Sequence, residues 1–114
     1  MSNKNRTKIE VGKFYIAYGG TPHPSYVFEI DTKHNTIKSI KFGTTKAKHM
    51  TEIHPLQENC SKKYVHNRPF EGTRSDYGDR ELIGLTIDTR DLNIINSIKK
   101  KESTKTRRAK ARYK

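Results

Sequence analysis

The sequence predicts a mainly β domain: a small, strongly bent antiparallel sheet or barrel with one C-terminal helix and basic, disordered arms. Three observations lead there. Short β-branched and aromatic runs with rough period-two alternation fill residues 9–87, one run beyond them has helical spacing, and positive charge gathers at both ends. No helical run falls between the strand runs, which speaks against a doubly wound parallel sheet.

The first strand lies within residues 9–18, where Phe14, Ile16 and Tyr18 share one side and Lys13, Tyr15 and Ala17 the other. Gly19, Gly20, Pro22 and Pro24 end it in a loop. Residues 25–30 and 36–42 form the next two strands, joined by the turn formers of residues 31–35 into a hairpin. Shorter strands are expected at 52–56 and 63–66. Residues 67–80 are rich in Gly, Pro, Asp and Asn and read as one long polar loop, a length that tends to be functional. Residues 81–87 supply the last strand, with Leu82, Leu85 and Ile87 available for burial. The helix then starts at Thr89 as N-cap, carries Asp91 in its first turn and Lys99 to Lys101 in its last, and buries Leu92, Ile95 and Ile98.

The charge divides the chain of 114 residues into a basic arm over 1–8, a single compact domain over 9–98, and a basic tail over 99–114. The tail holds nine Lys or Arg against one acid, Glu102, whereas the body balances twelve basic residues against eleven acidic ones. A nearly neutral body with basic arms suits a polyanion, because each phosphate neutralised by Lys or Arg releases a condensed counterion. This ranks nucleic acid, RNA in particular, ahead of a tail that merely aids solubility and ahead of an anionic membrane surface.

Several classes are excluded. One cysteine, Cys60, allows neither an internal disulfide nor a Cys-based zinc finger, and it fits a reducing compartment. The N-terminus has no apolar stretch of a secretory signal, and no run approaches eighteen apolar residues, so a cytoplasmic protein is expected. His23, His34, His49, His54 and His66 lack metal-ligand spacing, and Gly19-Gly20 opens no phosphate-binding helix. No metal and no cofactor are called for.

What remains is a set of RNA-compatible groups at strand ends and in loops. His23 precedes the second strand; Thr44, Thr45, Lys46, Lys48 and His49 follow the third; Arg68, Arg74, Asp76 and Arg80 lie in the long loop. Metal-free RNA cleavage needs a base for the 2′-OH, an acid for the departing 5′-oxygen, and cations or hydroxyls around the phosphorus. His23, His49 and Asp76 are of the type for proton transfer. Lys46, Lys48, Arg68, Arg74 and Arg80, with Arg107, Arg108, Lys110 and Arg112 of the tail, are of the type that holds nucleic acid.

The run His23-Pro24-Ser25-Tyr26-Val27 after a Gly/Pro-rich loop resembles the Arg-Pro-x-x-Val strand of the MazF/PemK (Kid-like) toxin family. Ile40 to Thr45 is similar to that family's next strand, which ends in a Thr-Ser pair, and Lys46 is similar to the basic residue that follows it in ToxN-type toxins. His23 stands where the family has Arg, and Thr44-Thr45 where it has Thr-Ser. The resemblance spans residues 9–98 and implies a metal-independent endoribonuclease of a bacterial or mobile-element toxin–antitoxin system. Thr44 and Thr45 would hold the scissile phosphate, and an antitoxin and a second copy of the chain would be further partners. A non-catalytic nucleic-acid-binding module, and an inhibitor or adaptor that docks on a ribonucleoprotein, are the alternatives the residue inventory leaves open.

Overall fold

The computed structural model describes residues 8–18, 21–57 and 63–105. Within them the strands are β1 (Phe14–Ala17), β2 (His23–Asp31), β3 (Thr36–Gly43), β4 (Met50–Ile53), β5 (Lys63–His66), β6 (Phe70–Gly72) and β7 (Thr104–Lys105), and α1 is Leu92–Lys99. They form one sheet in the order β1-β2-β3-β5-β4, antiparallel throughout, with β6 also on β3 and β7 parallel to β6. The sheet is not closed into a barrel. No helix among the described residues is long and apolar enough to cross a membrane.

The β2–β3 hairpin follows from its turn. The Asp31 carboxylate accepts the His34 backbone N–H at 3.2 Å and pairs with the His34 ring at 2.8 Å, while Asn35 takes the left-handed conformation at φ 55°. Asn tolerates that region better than other side chains. Val27 pairs with Ser39 but Glu29 with Lys38, so Phe28 is an extra residue that twists β2.

β3 is buried on both faces, which bends the sheet around it. Ile40 and Phe42 face a core with Phe14, Ile53, Leu56, Val65, Ile95 and Ile98, covered by α1. Ile37, on the other face, joins Ile9, Tyr15, Ala17, Val27, Phe70 and Tyr77. The same edge of β3 pairs β6 at residues 37–39 and β5 at residues 42–43, so the sheet forks at Lys41.

Three expectations need correction. Residues 81–87 are not a strand: a one-residue bridge joins Leu82 to Phe14, and the chain then turns at Gly84, φ 89°. This segment still covers the open edge of β1, since Gly78 and Leu82 donate to the carbonyls of Ile16 and Phe14 at 2.8 Å each. Residues 67–80 are not one loop, because they hold β6 and a 3-10 turn at Arg74–Asp76. The helix is entered through a 3-10 turn, Thr89–Asp91, capped by Asp88 rather than Thr89, and Leu92 stays 44 % exposed while Ile95 and Ile98 are buried. Residues 1–7 and 106–114 of the basic arms lie outside the described residues; of the remaining tail, Lys99 ends α1 and Thr104–Lys105 form β7.

Candidate functional site

The antiparallel registers bring distant residues to one face at the fork. Ser25 lies opposite Lys41, Gly43 opposite Tyr64, and Met50 opposite His66. Opposed residues in a ladder share a face, and so do residues two apart. His23, Lys41, Gly43, Met50 and His66 therefore converge. The His23 and His66 rings pack at 5.6 Å between centroids. A Cβ at Gly43 would stand 3.9 Å from the His23 ring and 3.1 Å from Met50 Cε, so glycine keeps the floor of the cluster open.

Lys41 is 9 % exposed, with Nζ 4.8 Å from the centre of the Phe70 ring. Among the described residues no carboxylate lies within ion-pair distance of it. Burial pushes its ammonium below the usual lysine range. The charge acts in turn on the imidazoles. Burial first, then Lys41 and His23, hold His66 down at about 4. His23 is lowered by burial and then by Lys41. Both rings are thus held neutral beside a buried cation, which suits the arrival of an anion.

A cavity of about 230 Å³ opens from this cluster, lined by His49, His66, Asn67, Arg68 and Thr104. Its walls are fixed by backbone: Asn67 N–H donates to the His49 carbonyl at 2.9 Å, and Thr104 N–H to the Pro69 carbonyl at 2.8 Å. Arg68 is 59 % exposed in its side chain and meets Glu102 at 3.9 Å, an exposed pair that contributes little and leaves the guanidinium accessible.

The other sequence-predicted residues fall in three places. Thr44, Thr45, Lys46, Lys48 and His49 are exposed on the β3–β4 connection, which starts at Gly43 beside His23. Asp76 is buried, and its carboxylate accepts the Thr73 N–H at 2.8 Å, closing the 3-10 turn. Arg74 donates to the carbonyls of Tyr77 and Gly78 at 3.1 and 3.2 Å, and Arg80 is exposed beyond them. Arg107, Arg108, Lys110 and Arg112 lie outside the described residues. His23, His49 and Arg68 are thus gathered near His66, whereas Asp76 and Arg74 hold a turn. Sequence reasoning missed Lys41 and His66 as members of the cluster. Among the described residues no group of three or more His, Cys, Asp or Glu is placed to hold a metal ion.

No family of known sequences and no curated protein matches the chain. Among solved structures, it is similar to an endoribonuclease in complex with its cognate antitoxin from a mycobacterial species, with a TM-score of 0.53 and 13 % identity over 80 % of this chain and 90 % of that one. At that identity the likeness is one of fold.

Proposed function

We propose that the chain is a toxin-like, metal-independent endoribonuclease that cleaves RNA at the β3 fork. One observation carries the reading: two imidazoles packed at 5.6 Å beside a buried lysine that has no carboxylate partner among the described residues. The fold shared with an antitoxin-bound endoribonuclease supports it, and by the same analogy an antitoxin is the partner that would silence it.

The chemistry follows from the placement. The scissile phosphate takes the position that completes Lys41, and its negative charge raises the pKa of both imidazoles back toward neutral pH, where proton transfer is most effective. His66, the more strongly lowered ring, is the base for the 2′-OH proton. His23, at the solvent end of the pair, donates to the 5′-oxygen. The O2′–P bond forms as the P–O5′ bond breaks, leaving a 2′,3′-cyclic phosphate and a 5′-hydroxyl. Lys41, with the hydroxyls of Thr44 and Thr45 just past Gly43, stabilises the charge that develops on the phosphoryl oxygens. His49 and Arg68 at the cavity, and Lys46 and Lys48 on the β3–β4 connection, hold neighbouring phosphates, while Asp76 closes its own 3-10 turn and takes no part in proton transfer.

The test is incubation of the purified protein with mixed RNA in EDTA, with analysis of the product ends. Discrete fragments ending in 2′,3′-cyclic phosphate are expected, and His23→Gln or His66→Gln should slow their appearance by about 10²-fold or more while RNA is still bound. RNA that is bound but stays intact would make the chain a binding module instead.

A further inference from the structure

A second cavity, of about 330 Å³, lies on the opposite face of the sheet from the imidazole pair, between α1 and the ends of β4 and β5. Asn67, the residue that follows His66, borders both cavities. The floor is apolar, made by buried Ile98 and half-buried Ile94. The rim is polar: Asn93 and Ser97 stand one helical turn apart on α1, and Lys101 follows just past the helix end. The Thr51 hydroxyl donates to Asn67 Oδ1 at 2.6 Å. That bond fixes the amide and leaves its two N–H donors for a ligand.

We propose that this groove is a nucleobase subsite, which holds the base next to the scissile phosphate and sets the sequence preference of cleavage. The inference rests on the endoribonuclease reading for its neighbour, but its own warrant is the groove. A base is a flat, largely apolar plate with donors and acceptors confined to its edge. Ile94 and Ile98 offer the apolar surface, Asn67, Asn93 and Ser97 the edge contacts, and Lys101 a cation for the adjoining phosphate. An oriented amide reads such an edge through paired hydrogen bonds. The volume lies at the small end of the range for ligand sites, which fits one base. Asn67 directly follows His66, so an RNA strand that rounds the end of β5 reaches both cavities.

The experiment separates binding from chemistry. Fluorescence anisotropy is measured with 2′-O-methyl homo-oligomers of A, C, G and U, whose blocked nucleophile prevents cleavage. The wild type should favour one base by about tenfold, the discrimination of one well-made amide–base pair. Asn67→Ala should reduce the preference to under about threefold. The double variant Asn93→Ala/Ser97→Ala changes two exposed residues and should do the same, so it decides the matter should Asn67→Ala fail to fold. Equal affinity for all four oligomers in the wild type, or an unchanged preference in the double variant, overturns the subsite. A preference that the variants abolish, in a protein that leaves natural RNA intact, upholds the subsite and removes the catalytic reading instead.

Discussion

Replacing Lys41 by Met separates the cost of the buried ammonium from its use. Lys41 is 9 % exposed and faces the Phe70 ring at 4.8 Å, with no carboxylate partner among the described residues. Removing the cation–π interaction costs up to about 2 kcal/mol at a desolvated site. Relieving the burial of an unpaired charge returns a similar or larger amount, since the effective penalty is several kcal/mol before compensation. Met keeps the length and the apolar stem. The variant should therefore melt within a few degrees of the wild type at pH 7, or above it. The chemistry should respond differently. Without the positive charge, His66 should titrate above its value of about 4 yet stay below 6.5, because burial is the larger cause and persists. RNA cleavage should fall by about 10²–10³, the loss expected for one preorganised donor to the transition state. An NMR titration of the His66 ring, a thermal melt and a cleavage assay measure the three effects. An unmoved His66, or cleavage at the wild-type rate, would refute the placement of Lys41 in the site; a fall of more than about 3 kcal/mol in stability would show that the ammonium has a structural partner.

Four further outcomes are expected. Because folding lowers His66 from 6.5 to about 4, the unfolded chain binds its proton first: this contribution is whole above 6.5 and is lost as pH falls toward 4. The full difference is about 3 kcal/mol, which solvent screening of a half-buried ring reduces to about 1–2, and denaturant titrations from pH 7 to 4 should show a flatter decline in His66→Asn. Gly72→Ala would put a Cβ 2.7 Å from Asp76 Oδ2 and 3.0 Å from its Cβ, so a loss of about 1–3 kcal/mol in chemical denaturation is expected. Removal of residues 106–114 takes away five Lys or Arg but leaves β7, so the melting temperature should hold. The slope of log K for RNA against log salt should become shallower by about 0.7 for each phosphate that the truncated chain no longer neutralises. Thr44→Ala/Thr45→Ala alters two exposed residues and should lower cleavage by about 10²-fold with little change in RNA affinity; equal rates in the folded variant would leave the pair as a strand end.

What the sequence made legible was what is local. The β2–β3 hairpin announces itself in five turn-forming residues between two alternating runs, and β5 (Lys63–His66) falls where its short apolar pattern puts it. Residues 81–87 have equally good strand composition, but composition does not show whether a partner edge is available. Their place beside β1 is taken through isolated bridges at Tyr77 and Leu82, and Gly84 turns the chain before a ladder can extend. Thr89 and Asp88 are both good caps, and which one serves depends on the angle at which the chain reaches α1. His54 helps to set that angle by binding both carboxylate oxygens of Asp91.

The candidate site was half legible for a related reason. His23, Thr44, His49 and Arg68 stand at strand ends, where chemistry is ordinarily sought, and local reasoning finds them. Lys41 lies between Ile40 and Phe42, and alternation puts it on the face opposite theirs, which nothing local marks as buried. β3 is covered on both sides, because Phe70 and Tyr77 come from beyond residue 66 to bury Ile37, Ser39 and Lys41. His66 needs the same long-range information, since its pairing with Met50 and its approach to His23 exist only once β5 has docked on β3. A lysine that alternates into a face lined by aromatics, without an acid two residues to either side, is a signal that can be read in advance. It asks for a negative charge that no described residue supplies at ion-pair distance, and a phosphate diester would bring one.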